Sequence, residues 1–318
     1  MKAAVLNKLG IKPVYDDFAD PVPESGNQLV INVKAAALKN LDKLKTYKEY
    51  YAPYQKTPVA IGTDGVGTLA NRTLVYAQGI TGTMAEKALI SDDKYTVVPA
   101  GLDPTIAAAL PNAVLGSAVP LRVRAEIKTG QVVLINGATG ITGKVAVQAA
   151  KYYGASKVIA MGRNESTLEE LKSLGADITI SLNQSEDEII NQIRKADSES
   201  PIDIIMDYLW GRPAELIIVS LKNRKGGQVK YITIGDMAAG DITLSSGTVR
   251  STDLILMGAG FGYLTPEVLK QFSSEILPEM FELAVKGGLK IETENRLLKE
   301  IDIAWDSKPN GKRVVIII

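Results

Sequence analysis

The chain contains no cysteine and no histidine. Thiolate and imidazole, the ligands that hold zinc in nearly every structural and catalytic site, are therefore missing. The same absence removes disulfides, cysteine nucleophiles and any histidine-based triad. Carboxylates alone suit harder cations, but no run of Asp and Glu shows loop-like ligand spacing. No metal site is expected, and the chemistry must be metal-free or carried by an organic cofactor. An excess of charge is missing too, with 36 Lys and Arg against 36 Asp and Glu. Nothing global then attracts nucleic acid or an anionic membrane. No segment is expected to reach the roughly 18 apolar residues of a membrane span. The opening residues, Met1-Lys2-Ala3-Ala4-Val5-Leu6, read as a strand, and Asn7, Lys8 and Gly10 interrupt it too soon for a signal peptide.

What is present is length and apolar material. At 318 residues and 46% hydrophobic, the chain has enough of both for two domains. Up to about residue 100 the pattern is of short strands. Leu29, Ile31 and Val33 alternate along 28–36, and Gly62, Gly65 and Gly67 break a second apolar run as bends or bulges at a barrel corner would. Asp103-Pro104 opens a helical stretch that Ala107-Ala108-Ala109 carries towards Pro111. From about residue 125 the rhythm changes. Val132-Val133-Leu134-Ile135 is apolar throughout, as a strand buried on both faces must be. Strands near 158–161, 178–180, 202–206 and 229–234 follow, with helical stretches at 144–153, 166–174, 187–195 and 213–221. This alternation predicts an α/β architecture, with a doubly wound parallel sheet next to a β-rich domain.

The first of those strands runs into Asn136-Gly137-Ala138-Thr139-Gly140-Ile141-Thr142-Gly143-Lys144. Spaced glycines alone say little, but between a buried strand and a helix they match a dinucleotide turn. Such a turn needs a tight bend, a position without a side chain where the pyrophosphate approaches, and close packing of helix on strand. Gly140 fits the approach and Gly143 the packing. The helix start then offers free N–H groups and partial positive charge to phosphates. A Walker loop would need glycine where Ala138 stands and a hydroxyl where Val145 follows Lys144, so it does not fit. Glycines that merely make a turn are the bland alternative. At the end of the next strand, NAD enzymes carry an acid for the ribose hydroxyls. Here the place reads Met161-Gly162-Arg163-Asn164. The acid is missing, and the guanidinium of Arg163 matches a 2′-phosphate in charge and fork geometry, unless it is simply a solvated loop arginine. NADPH is the expected cofactor.

The chain resembles the medium-chain dehydrogenase/reductases, specifically their zinc-free quinone oxidoreductase branch. The resemblance rests on Met1-Lys2-Ala3-Ala4-Val5, on 35–50, on Gly62-Thr63-Asp64-Gly65-Val66-Gly67 and on Gly101-Leu102-Asp103-Pro104. It continues through Ala107 to Pro111, the glycine turn, Leu174-Gly175-Ala176-Asp177 and Gly311-Lys312-Arg313-Val314-Val315. It implies a β-rich, GroES-like catalytic domain from residues 1–118 and 262–318. A Rossmann dinucleotide domain over 119–261 would be enclosed by it. Zinc-dependent relatives carry ligands near Lys39 and Thr63, where this chain has neither cysteine nor histidine. The resemblance further implies hydride delivery from NADPH to quinones or α,β-unsaturated carbonyls, and backbone of Thr233-Ile234-Gly235 and Gly258-Ala259-Gly260 near the nicotinamide. It also implies a homodimer paired along the apolar strand near 253–257.

The chain departs from the family at Lys39, where an asparagine is frequent, in a short segment between Gly67 and Tyr76, and at Gly116-Ser117, where a threonine is usual. Tyr50 or Tyr47 would donate a hydrogen bond to a substrate carbonyl, as would Tyr51, unless these tyrosines only pack a loop. Lys39 is either an electrostatic stabiliser of an enolate or a solvated lysine, and Asp42 holds loop geometry. Tyr153 and Lys157 have short-chain dehydrogenase spacing, but Gly154 ends the helix between them, so the pair is rejected. The expectation is a cytoplasmic NADPH-dependent reductase of quinones or enones. A ketone or aldehyde reductase and a non-catalytic NADPH sensor remain as alternatives.

Overall fold

The computed structural model describes residues 1–47, 52–307 and 311–318. The chain divides into two compact units, Met1–Pro111 with Ser273–Ile318, and Asn112–Phe272.

The first unit begins with β1 (Lys2–Leu6), β2 (Val14–Asp17), β3 (Gln28–Ala37) and the short helix α1 (Asn40–Leu44). Then come β4 (Val59–Ala60), β5 (Asp64–Thr68), β6 (Leu74–Gly79) and β7 (Lys87–Val97). β1 lies between β2 and β4 in a small antiparallel sheet. β3 organises the larger sheet by changing partners along its length. Its first half pairs with β7 (Ile31 opposite Ala88) and its middle with β5 (Asn32 opposite Thr68). β5, β6 and β7 pair in turn, so these four strands close on one another. A register shift between Val33 and Ala35 bends the strand at the handover. The alternation read in the sequence holds there, with Ile31 and Val33 buried in a cluster that includes Val75 and Ile90. Glycine is required at the corner. A Cβ on Gly67 would stand 2.7 Å from Asn32 O, and Gly62 has φ +110°.

Helix α2 (Pro104–Leu115) starts as expected, with Asp103 Oδ1 accepting the Thr105 N–H at 2.8 Å. It does not stop at Pro111 but passes through it, and a wider helical turn follows at Pro120–Arg124. The helical run Pro104–Arg124 is 21 residues long and is sufficient, by length and composition, to cross a membrane. This corrects the expectation that no segment would qualify. Pro111 and Pro120 look like interruptions in the sequence but lie inside the run. Of its most apolar stretch, 67% is buried, as in a core helix.

The second unit alternates strictly: β8 (Val132–Asn136), α3 (Ile141–Tyr152), β9 (Lys157–Gly162), α4 (Glu165–Ser173), β10 (Ile178–Ser181), α5 (Glu186–Glu199), β11 (Ile204–Asp207), α6 (Gly211–Ser220), β12 (Val229–Thr233). After α7 (Ser246–Arg250) comes β13 (Leu254–Gly258). All strand pairs are parallel and the order is β10-β9-β8-β11-β12-β13. β8 is buried at every residue, as a central strand covered on both faces requires. Leu134, Ile159, Ile205, Ile217 and Tyr231 share one core with Ile189 and Ile193 of α5. Gly175 ends α4 at φ +112°, with its N–H bonded to Lys172 O and that of Ala176 to Leu171 O. Tyr153 caps α3 while Lys157 opens β9, so those two side chains do not share a helix face.

The chain then returns to the first unit. After α8 (Pro266–Gln271), the last helix of the second unit, it adds α9 (Leu277–Val285), β14 (Thr293–Leu297), α10 (Ile301–Asp306) and β15 (Arg313–Ile317). β15 pairs antiparallel with the last part of β3 (Val315 opposite Ala37) and parallel with β14. Trp305 and Ile301 of α10 close a core over Leu6, Ala36, Ile61 and Ile316.

Candidate functional site

The turn after β8 has a geometry that glycine dictates. Gly137 sits at φ +88°. Its N–H and that of Ala138 both donate to Met161 O, at 3.0 and 2.8 Å, which fixes the turn to the end of β9. A Cβ on Gly143 would fall 2.4 Å from Gly137 O and 2.6 Å from Ala138 Cα, so the helix could not lie this close to the turn with any side chain there. One on Gly162 would fall 2.4 Å from the Thr139 methyl. Gly140 differs. A Cβ there meets nothing nearer than Gly137 O at 3.5 Å, and the residue is exposed, so its bareness serves no internal contact. Gly140 is also the N-cap of α3 and supplies no side-chain acceptor to the amides that follow. The neighbouring helices α4 and α5 are capped by Asn164 and Ser185. The N–H groups of Ile141, Thr142 and Gly143 thus open a helix without a side-chain cap, which suits an anion.

This turn lies where the strand order reverses. From β8 the chain steps outward through β9 and β10, then restarts on the other side with β11. Ligands of open parallel sheets bind in the crevice outside the strand ends at such a reversal. The segment after β11 forms its other side. Tyr208 N donates to Asn136 O at 3.1 Å, and a Cβ on Gly137 would lie 3.1–3.2 Å from Leu209 and Tyr208 side-chain atoms. Tyr208 OH donates to Gly116 O at 2.8 Å, and Gly116 has room for no Cβ because the Thr142 methyl would be 2.9 Å away. Gly116, at the departure noted in the sequence, therefore belongs to this corner.

Beneath it lies a polar network that the sequence reading missed. Asp207, fully buried at the end of β11, accepts from Asn136 Nδ2 (2.7 Å), Tyr231 OH (2.8 Å), Leu209 N (2.9 Å) and Trp210 N (3.1 and 3.2 Å). Burial pushes its carboxyl above the usual carboxylate range against the pull of these bonds, and burial also raises the Tyr208 and Tyr231 hydroxyls. Asn136 Oδ1 is buried with no partner among the described residues. The available signal was an apolar strand that ends in Asn or Asp.

The other nucleotide-site candidates lie along the same edge of the sheet. Arg163 is exposed after β9 and makes no ion pair with a described residue, while its carbonyl accepts Asn183 Nδ2 at 2.7 Å. The Asn164 side chain is occupied in the cap of α4, accepting Thr167 N at 3.0 Å. Ile234 and Gly235 donate to Asp207 O, and Ala259 N donates to Thr233 O at 2.9 Å. A Cβ on Gly235 would press on Tyr208 O at 2.9 Å, whereas Gly258 and Gly260 have open space. Turn, arginine and bare strand ends together have the means to hold a diphosphate and a further phosphate.

In the first unit Lys39 is buried, which removes the solvated alternative. Its ammonium donates to Asp64 Oδ1 (2.7 Å) and Ala37 O (3.1 Å) and lies 3.5 Å from Asp42 Oδ2. Burial lowers the Lys39 pKa, but Asp42 and Asp64 outweigh it and hold the ammonium above its ordinary value. Asp42 does hold loop geometry. It accepts from Lys39 N (2.9 Å), Thr63 N (2.9 Å) and Thr63 Oγ1 (2.6 Å). Tyr47 is half exposed, at 49%. Tyr50 and Tyr51 lie outside the described residues. Tyr54, not singled out in the sequence, accepts Gly62 N at 3.1 Å, and burial raises its hydroxyl.

The chain has no cysteine or histidine, and among the described residues no group of three or more His, Cys, Asp or Glu is arranged to hold a metal.

A family model described as zinc-binding dehydrogenase matches residues 142–276. Among curated relatives, a probable NADPH-dependent quinone reductase of Emericella nidulans is 24% identical, with 96% of each chain covered. The chloroplastic NADPH-dependent alkenal/one oxidoreductase of Arabidopsis thaliana is 34% identical over 50% of this chain and 46% of its own. Among solved structures, a mycobacterial quinone oxidoreductase superposes with a TM-score of 0.87 over 100% of both chains at 17% identity, a likeness of fold.

Proposed function

We infer that this chain belongs to the medium-chain dehydrogenase/reductase superfamily, in its quinone oxidoreductase-like branch, and is an oxidoreductase. From that premise we propose that it is an NADPH-dependent, zinc-independent reductase of quinones or α,β-unsaturated carbonyls. The observation that carries this reading is the uncapped glycine turn at the strand-order reversal, with an exposed arginine, unpaired among the described residues, at the end of the next strand. The amides of 141–143 hold the diphosphate, and the bareness of Gly140 admits it. Arg163 holds the 2′-phosphate and so selects NADPH over NADH. Backbone at 233–235 and 258–260 would flank the nicotinamide.

When bound, NADPH supplies the hydride. The protein orients the acceptor and provides neutral hydrogen-bond donors to its oxygen, a task assigned to Tyr50 and Tyr47. Lys39 contributes as a fixed cation, hydrogen-bonded to Asp64 and Ala37 and ion-paired with Asp42. It takes the charge-balancing part a metal would otherwise have, and no step needs zinc. The names of the Emericella and Arabidopsis relatives support this substrate class. The enzyme works in the cytoplasm without a nucleic-acid or membrane partner. It forms a homodimer along β13, an edge strand whose Ile255 and Leu256 are 36% and 44% exposed.

Steady-state oxidation of NADPH against a panel of quinones, enones, ketones and aldehydes tests the reading. Turnover with quinones or enones is expected. Turnover with ketones or aldehydes alone would make it a carbonyl reductase, and binding without any turnover would make it a sensor.

A further inference from the structure

Among the described residues at positive φ, Trp210 carries the largest side chain. Its φ of 55° and ψ of −156° lie close to a region that essentially only glycine enters without strain. Gly211, next to it, has φ 58°. Backbone held in this way persists only where its surroundings over-determine it.

Asp207 is what over-determines it. Both of its oxygens accept the Trp210 N–H, and Oδ1 also accepts that of Leu209. The carboxylate is fixed in turn from both neighbouring strands, by Asn136 at the end of β8 and by the Tyr231 hydroxyl on β12. The Trp210 indole packs edge-on against the Tyr231 ring, with centroids 6.2 Å apart at 76°. One buried side chain therefore ties three adjacent strands to the segment beside the glycine turn. A connection from β11 to α6 needs no such strain. What the strained path achieves is placement, with Leu209 against Gly137 and Tyr208 against Gly116.

We propose that Asp207 is a positioning residue for the dinucleotide. It holds Trp210 on its strained backbone, so that residues 208–211 form a fixed wall of the crevice opposite the glycine turn. The inference rests on the reading that this crevice binds NADPH.

The test is a double-mutant cycle on the full chain, read by NADPH titration and by steady-state kinetics. Asp207→Asn is expected to raise the NADPH Kd and KM about 10-fold or more, with kcat at saturating NADPH within about 3-fold of the parent. Trp210→Gly adopts the same backbone without strain. In that background Asp207→Asn is expected to cost no more than about 2-fold in Kd. Equal losses in both backgrounds would overturn the proposal, as would a fall in kcat with KM unchanged. Tyr231→Phe keeps the ring packing and removes one donor. It covers the case in which Asp207→Asn does not fold, and an NADPH Kd raised about 3-fold is expected there. An unchanged Kd would overturn the proposal. If the unsubstituted chain gives no saturable NADPH signal, the functional reading fails and the inference with it. Saturable binding with an uncoupled cycle removes the inference alone.

Discussion

Lys39 Nζ and Asp64 Oδ1 stand 2.7 Å apart with both side chains almost wholly out of solvent. Asp42 shares the same ammonium at 3.5 Å. Removing one partner of a buried pair leaves the other charge uncompensated, so Lys39→Met is expected to destabilise the chain by about 3–5 kcal/mol. Urea denaturation measures this, and a loss of only a few tenths would show that the pair is not buried in solution.

The same lysine sets an alkaline limit. Its folded pKa lies above the ordinary value of 10.5, because the two aspartates outweigh burial. The folded chain then holds this proton more tightly than the unfolded chain does. Its stabilisation is complete below about pH 10.5 and is lost as pH rises through the folded value. Unfolding midpoints measured from pH 9 upward are expected to fall more steeply in the parent than in Lys39→Met, which lacks this proton.

Two neighbouring glycines separate folding from binding. Gly143→Ala drives a Cβ to within 2.4 Å of backbone and is expected to cost several kcal/mol, as overpacking does. Gly140→Ala meets nothing closer than 3.5 Å, so thermal unfolding is expected to stay near that of the parent. Its NADPH affinity is nevertheless expected to fall about 10-fold, because the methyl occupies the phosphate approach. Unchanged affinity in Gly140→Ala would move the diphosphate elsewhere.

Arg163→Ala is expected to weaken NADPH about 10- to 100-fold, the worth of a charge-assisted contact, and to leave NADH almost unaffected. Equal losses for the two coenzymes would remove the 2′-phosphate role.

Ile255→Glu puts a charge on the exposed edge of β13. Sedimentation of the parent is expected to give a dimer, and of the variant a monomer. A monomeric parent would dispose of the pairing outright.

The second unit was legible because parallel strands are apolar throughout and their helices are punctuated by glycine and capping residues. Val132–Ile135, the Gly137–Gly143 turn and the stop at Gly175 all fall where the sequence indicates. Helix ends were less clear. α3 begins at Ile141, ahead of the expected start near Lys144, because the turn glycines mask its first residues. The continuation through Pro111 was hidden for a similar reason, since proline reads as a stop while neighbouring packing holds the helix. The Asp207 network and the Lys39 pairs were not legible at all. Asp207 meets Asn136 across 71 residues and Lys39 meets Asp64 across 25, and no local pattern records such partners.

β3 takes its last partner from the far end of the chain, with Ala35, Ala36 and Ala37 opposite Ile317, Ile316 and Val315. On a ribosome, residues 112–272 have emerged before that strand exists. The second unit is free to fold as a completed insert while the first still shows an open apolar edge. A chain cut short by its final six residues would keep that edge bare, and it should be recognised by chaperones and proteases while its second unit remains sound.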